Sequence, residues 1–315
     1  MKSSPMKKYL ILMSVLFVVM SCRDSYEITE PHLDVWTDKV VYKVGDTIIF
    51  HIEGSPDMIN FYPGHYGKEY RYQDVERIYE YMPTLGFRAA KFAGNNEDCA
   101  ELLYTTEFNE NYDYTNVSAV NWINISDRFD IPPIDGTSAN FSDAGTVDVT
   151  DIFEEGKPVY FAWYCKTNEA SQRTRFQVAD FNLKGIATNE PDISGILVSQ
   201  AAMGFQWSLN PEAAAQTSNL PSITNSLIYW NGIFDNTAGL LKEGYAVSGP
   251  ITLPDQMNLG KDYPIVVKGM QMENMTEYTY AFEEAGEFEV TFVGFNVNFE
   301  GKKEVVKTIK LTIEE

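Results

Sequence analysis

Apolar and polar residues alternate with period two wherever this chain shows a pattern, and that period belongs to strands. Val40-Val41-Tyr42-Lys43-Val44 runs into the turn signal Gly45-Asp46, and 47–53 then reads as a strand that stops at Gly54. Near the other end, 278–282 precedes the turn Glu283-Glu284-Ala285-Gly286, and 287–293 alternates strictly. A last strand over 303–313 loses phase near Lys307, which predicts an edge or bulged strand. Further strands are predicted at 117–125, 159–165, 175–183, 226–230 and 245–253, separated by Gly, Pro, Asn and Asp clusters. Helical patterning is confined to a turn or two at 74–81 and 211–216. The pattern therefore predicts an all-β protein.

Composition narrows the partners. With 45 acidic against 24 basic residues, a formal charge of −21 sets up like-charge repulsion toward nucleic acid or an anionic lipid surface. A 44% hydrophobic content, with aromatics at 14% of the chain, supplies a substantial core. Single cores stop growing near roughly 250–300 residues, so 315 residues predict two domains.

Residues 1–22 read as an address. Lys2, Lys7 and Lys8 open it, an apolar run over 9–19 follows, and Val19-Met20-Ser21-Cys22 closes it, the pattern of a signal peptide. The run is shorter than the ~20 residues that span a bilayer. The ending resembles a bacterial lipobox, which implies that Cys22 is acylated and becomes the first residue of the mature chain. Cleavage there removes three of the 24 basic residues and none of the 45 acidic ones, taking the formal charge from −21 to −24. The polar stretch Arg23-Asp24-Ser25-Tyr26-Glu27 resembles the signal that sends Bacteroidetes lipoproteins to the outer face of the outer membrane. The membrane is then met through the lipid anchor alone.

Two matches at the chain's ends carry a further resemblance. Val44-Gly45-Asp46 with Ile48-x-Phe50, and Tyr278-x-Tyr280-x-Phe282-x-x-x-Gly286-x-Phe288-x-Val290-x-Phe292, resemble the opening and closing halves of a PKD-type immunoglobulin-like sandwich. Such a sandwich needs roughly 100 residues, whereas about two hundred separate these halves. The economical organisation is a discontinuous domain: a linker over 23–31, the sandwich's two parts at 32–78 and 262–315, and a second domain inserted at 79–261. Within the insert, Val147-Asp148-Val149-Thr150-Asp151, Gly156-Lys157-Pro158-Val159-Tyr160-Phe161-Ala162 and Phe176-Gln177-Val178-Ala179-Asp180-Phe181 resemble galactose-binding-like jelly rolls. Taken whole, with Pro56-Asp57-Met58-Ile59-Asn60-Phe61-Tyr62-Pro63-Gly64 and Gly67-Lys68-Glu69-Tyr70, the chain resembles a family of Bacteroidetes outer-membrane lipoproteins of about this length. That resemblance implies an accessory glycan-binding lipoprotein, similar to SusE and SusF, serving a SusC- and SusD-like uptake system. It assigns no functional residues.

Candidate chemistry is sparse on the catalytic side. His32, His51 and His65 are the only imidazoles, and HExxH, GxSxG, Walker and CxxC patterns are absent from the sequence. His51 alternates with Phe50 and Ile52 as a surface-facing strand residue, and His65 sits in a tyrosine-rich turn. No catalytic residue is assigned, no cofactor is required, and a non-enzyme is expected. Glycoside hydrolysis stays open as a third reading, because its two carboxylates need closeness in space rather than in sequence.

Sugar binding asks for flat aromatic faces with polar groups beside them. Strand parity places Trp163 with Phe161 and Cys165 in the core, and Trp36 is assigned a structural role. Trp207, and Trp230 with its neighbours Tyr229 and Asn231, sit beside polar turns and are the chosen glycan-binding candidates; Trp122 is a further one whose parity decides neither way. Asp143, Asp148 and Asp151 are candidate oxygen ligands for a structural calcium, without EF-hand spacing. Cys99 and Cys165 are candidates for a disulfide, against a buried free thiol at Cys165. The leading expectation is a surface lipoprotein that binds polysaccharide or oligosaccharide; a protein-binding or adhesive module is the second.

Overall fold

A computed structural model describes residues 27–167, 173–232 and 240–315; Cys22, the expected lipidation site, lies outside them. In chain order the first segment contributes β1 (Leu33–Trp36), β2 (Val41–Lys43), β3 (Ile48–Gly54) and β4 (Met58–Tyr62). Next come β5 (Ile78–Tyr79), β6 (Tyr81–Phe92), β7 (Ala100–Thr105), helix α1 (Tyr114–Val117), β8 (Ile123–Asn124), β9 (Ser142–Asp148) and β10 (Tyr160–Thr167). They are followed by β11 (Arg175–Ala187), β12 (Ser194–Val198), β13 (Gln206–Leu209), α2 (Pro211–Ala214), β14 (Ser222–Ile223), β15 (Leu227–Trp230), β16 (Lys242–Val247) and β17 (Met257–Asn258). The last segment supplies β18 (Ile265–Lys268), β19 (Glu277–Tyr280), β20 (Gly286–Asn298) and β21 (Gly301–Glu314). The protein is all-β, and no helix among the described residues is long and apolar enough to cross a membrane.

The chain divides into two units, one made of Met1–Arg77 with Gly260–Glu315, the other of Ile78–Leu259. In the discontinuous unit, β1-β3-β19 form one sheet and β18-β4-β20-β21-β2 the other. Strands one, three and nineteen thus share a sheet while four, twenty and twenty-one share its partner, the strand order of an immunoglobulin-like sandwich. β2 pairs parallel with the end of β21. Alternation fills the space between the sheets: Ile48, Phe50 and Ile52 from β3 meet Phe61, Val290, Phe292, Leu311 and Ile313. Rings of Phe61 and Phe292 stand 4.7 Å apart, and Phe50 lies 5.1 Å from Phe292.

Of the edge or bulge expected near Lys307, the edge is borne out, since β2 pairs only with Thr312–Glu314, and the bulge is not. β21 pairs with β20 from Gly301 to Ile313 without a bulge, because Val305, Lys307, Ile309, Leu311 and Ile313 keep one phase and Val306 faces out. Lys307 occupies an inward position in that phase and pairs with Asp34 at 3.2 Å, so a charged residue in an apolar register mimicked a slip.

The inserted unit is also a sandwich. Its sheets are β13-β16-β10-β7-β8 and β14-β15-β11-β6-β9, with β12 pairing on the far part of β11. Leu85, Phe87, Phe161, Trp163, Phe176, Val178, Phe181 and Trp230 fill the space between. The helix expected at 211–216 is α2, where the Asn210 side chain accepts from the Ala213 N–H at 2.8 Å and Pro211 starts the turn. The other expected helix, over 74–81, is instead the approach to β5 and β6. Likewise 117–125 is the end of α1, a loop and the two-residue β8 rather than one strand.

Each unit closes locally where the chain crosses. In the insert, β5 pairs antiparallel with β17, so its two ends meet and an insertion there costs little closure entropy. In the other unit, Arg77 makes a two-pronged bond to Asp262, Nε to Oδ1 and Nη2 to Oδ2, both at 2.7 Å, and a further one to Glu69 at 2.6 Å. The guanidinium lies 3.8 Å from the Tyr72 ring centre and 4.6 Å from that of Tyr66. Burial alone would raise the Asp262 carboxyl; bonds from Arg77 and from the Glu69 N–H, with the Arg77 charge, outweigh it and hold it below the usual range.

Candidate functional site

The chosen tryptophans do not form a binding surface. Trp230 is 0% exposed on the inner face of β15, and its Nε1 donates to Thr167 Oγ1 at 3.2 Å. Trp207, half-buried, packs against it from the same inner face with ring centres 5.5 Å apart. Trp230 is corrected to core and Trp207 to the core's inner border, because strand parity outranks the polar turns beside them. Tyr229 and Asn231 flank Trp230, with the Tyr229 hydroxyl donating to Asn231 Oδ1 at 2.8 Å, and do not join an exposed indole. Trp36 reverses the other way: 46% exposed, it stacks outside β1 on His51 at 5.5 Å.

The oxygen ligands do not converge either. Asp143 caps its own turn at Gly145, Asp148 accepts from Thr150 N and Oγ1, and Asp151 is held two-pronged by Arg128. A bulge between Asp143 and Thr146 leaves Asp143 and Asp148 on the same outer face of β9, but across from Arg88 and Thr84, four positions apart along β6 and so too far apart to share an ion. No group of three or more candidate metal-holding side chains exists among the described residues. Cys99 and Cys165 are free and buried, and burial pushes the Cys99 thiol up to about 12 and Cys165 well up. The proposed disulfide is replaced by two buried thiols.

Trp122 does join a site, on the outer face of the sheet whose inner face holds Trp163 and Trp207. Alternation along β10 turns Phe161, Trp163 and Cys165 inward and Tyr160, Tyr164 and Lys166 outward; along β16 it turns Glu243 and Tyr245 outward. Register then sets Ser208, Tyr245, Tyr164 and Glu101 side by side across four strands. The Tyr164 and Tyr245 rings lie 4.8 Å apart, and the Trp122 indole stacks near Tyr245 at 6.3 Å and 19°. These rings are half-buried, so each keeps surface for a ligand.

The segment between β7 and β8 fixes the indole. Asn109 and Asn116 exchange side-chain bonds at 3.1 and 2.9 Å, Tyr112 donates to the Ser248 carbonyl at 3.1 Å, and Trp122 Nε1 donates to the Val117 carbonyl at 2.9 Å. A ring already held in place loses little freedom when a ligand lands on it. Beneath, Phe108 and Tyr160 pack edge to face at 5.3 Å.

Polar groups border the rings. The hydroxyls of Tyr114 and Tyr164 donate to the two oxygens of Glu243. Desolvation, with the Glu243 carboxylate adding to it, raises Tyr114 and Tyr164, and raises Tyr245 to about 12. All three stay neutral donors at ordinary pH. On the other side Glu101 accepts from Asn124 Nδ2 at 3.0 Å and lies 3.7 Å from Lys166 Nζ. Those three residues line a shallow depression of about 490 Å³ that continues past Ser126 and Asp127 to Lys91. Flat rings therefore run into a trough of mixed charge.

Sequence reasoning missed Tyr114, Tyr164, Glu243 and Tyr245. The signal for three of them was present: the parity that made Trp163 core puts Tyr164 outside, and Glu243-x-Tyr245 repeats it. The pairing of β10 with β16 comes from residues eighty apart and left no local mark.

No curated protein and no solved structure matches the chain. A family model described as a domain of unknown function, DUF5017, matches residues 21–204. That span is more than half of the chain and takes in the N-terminal strands of the discontinuous unit together with most of the insert's two sheets. The chain belongs to the DUF5017 family.

Proposed function

We propose that this chain is a non-catalytic surface lipoprotein that binds glycan chains on the outer face of the insert's five-stranded sheet. The observation that carries this reading is the ring row Tyr164, Tyr245 and Trp122, bordered by Glu243, Glu101, Asn124 and Lys166. Pyranose rings present a flat C–H face that packs on aromatic rings and a rim of hydroxyls that bonds carboxylates, amides and ammonium groups. A long row of such groups suits a polymer. The lipid anchor at Cys22 and service to a SusC- and SusD-like uptake system belong to the same proposal and rest on the leader's pattern.

Affinity electrophoresis of the mature chain against a panel of polysaccharides tests it. At least one polysaccharide is expected to retard the wild type, with Tyr245→Ala and Trp122→Ala each abolishing the retardation. Retardation unchanged in both variants would remove this face from consideration. Cys22→Ala should move the protein out of the membrane fraction.

A protein-binding reading has one observation in its favour. Tyr263, Val266, Met270 and Met272 are all more than half exposed on and beside β18, which is an edge of its sheet. Pulldown of a protein partner, with silence across a glycan array, would favour it.

A further inference from the structure

The immunoglobulin-like unit holds a cavity of about 420 Å³, within the roughly 300–1,000 Å³ typical of small-molecule sites. Half-buried Tyr280 and Phe288 form its wall, backed by the buried Phe282, whose ring lies 5.0 Å from Tyr280 and 4.4 Å from Phe288. His65 braces them, with Nδ1 3.0 Å from the Tyr66 carbonyl and Nε2 3.3 Å from the Tyr280 hydroxyl. A carbonyl only accepts, so Nδ1 carries a proton toward Tyr66. The turn between β19 and β20 then brings Glu283 and Glu284 to the lining, both exposed. No lysine or arginine is among the described lining residues.

Aromatic faces and two carboxylates suit one class of ligand, the nearby Arg77 guanidinium being engaged by Asp262, Glu69 and the Tyr66 ring. A ring quadrupole attracts a positive charge, a carboxylate accepts from N–H, and the chain's charge of −21 repels anions while drawing cations in. We infer that this cavity holds a protonated amine carried on a sugar ring, that is, an amino-sugar unit. The sugar part rests on the glycan-binding reading; the choice of an ammonium group rests on this cavity alone.

Calorimetric titration of the mature chain with a chitosan tetrasaccharide and with its fully N-acetylated counterpart, at mildly acidic pH and low salt, tests the inference. The two share a backbone and differ in charge. The free amine is expected to bind about tenfold tighter or better. Glu283→Gln with Glu284→Gln should erase that preference, whereas Glu154→Gln with Glu155→Gln, which removes equal charge from the insert, and Tyr245→Ala should keep it. Equal affinities in the wild type, absence of binding by either tetrasaccharide, or a preference that survives the Glu283 and Glu284 changes would overturn it. If every polysaccharide fails to bind while free glucosamine still binds and loses affinity in that double variant, the cavity stands and the glycan face falls.

Discussion

Trp207 and Tyr245 occupy neighbouring strands of one sheet, one register step apart, and their surroundings are opposite. Trp207 lies across from Ala246 on the inner face, against Trp230. Tyr245 lies across from Ser208 on the outer face, beside Tyr164 and within stacking reach of Trp122. Aromatic identity and half-burial are shared, and the face each ring meets is decided by parity. A binding ring is therefore found by asking which side of the pleat it stands on, before asking how large it is.

Trp230→Ala is the change expected to act most strongly on the inner side. It empties an indole's volume from a sealed core, which costs about 3–5 kcal/mol. A large fall in melting temperature should follow, with glycan affinity intact where the variant is still folded. Affinity lost at unchanged stability would reverse the assignment of the two faces.

That contrast also sets how far the sequence was readable. The β content, the two-part arrangement of the chain's ends and the inward side of Trp163 follow from alternation, which is local. What was unreadable is long-range pairing: the ring row needs β7, β10, β13 and β16 in one order, and the trough needs β8 beside β7. Trp207 and Trp230 misled because flanking Gln, Ser and Asn made them look like turn residues, while their own strand positions were inward.

Alkaline titration separates the faces next. Tyrosine in the unfolded chain ionises near 10, whereas Tyr245 in the fold is pushed to about 12, with Tyr114 and Tyr164 also raised. Their contribution to stability is complete below about pH 10 and is lost as pH rises through the folded values. Urea midpoints should therefore fall above about pH 10, and more shallowly in Tyr245→Phe, while tyrosinate absorbance reports the same window. An equal decline in both proteins would place the Tyr245 hydroxyl in ordinary solvent.

Ser208 probes the floor under the ring row. It is 3% exposed, and its Oγ has no hydrogen-bond partner among the described residues. An unpaired buried hydroxyl costs about 1–3 kcal/mol, so Ser208→Ala should leave stability unchanged or raise it by about 1 kcal/mol in urea denaturation. A loss of that size would mean that the hydroxyl bonds to an unseen group such as ordered water.

The smallest effect is expected from Trp36, which carries the parity rule into the other unit. β1 alternates with Leu33 and Val35 buried, so Trp36 must face out, and its partner in register is His51. The pair stacks at 5.5 Å and 27°, while His51 also bonds Asp38 at 3.2 Å. With the indole 46% exposed, little apolar surface is withdrawn from water, and an exposed cross-strand aromatic pair contributes about 0.5–1 kcal/mol. Trp36→Ala should shift the urea midpoint by no more than that, a fraction of the Trp230→Ala effect, although the same atoms are removed. Were the two losses equal, residue type would govern after all and the inward and outward faces would carry no separate meaning.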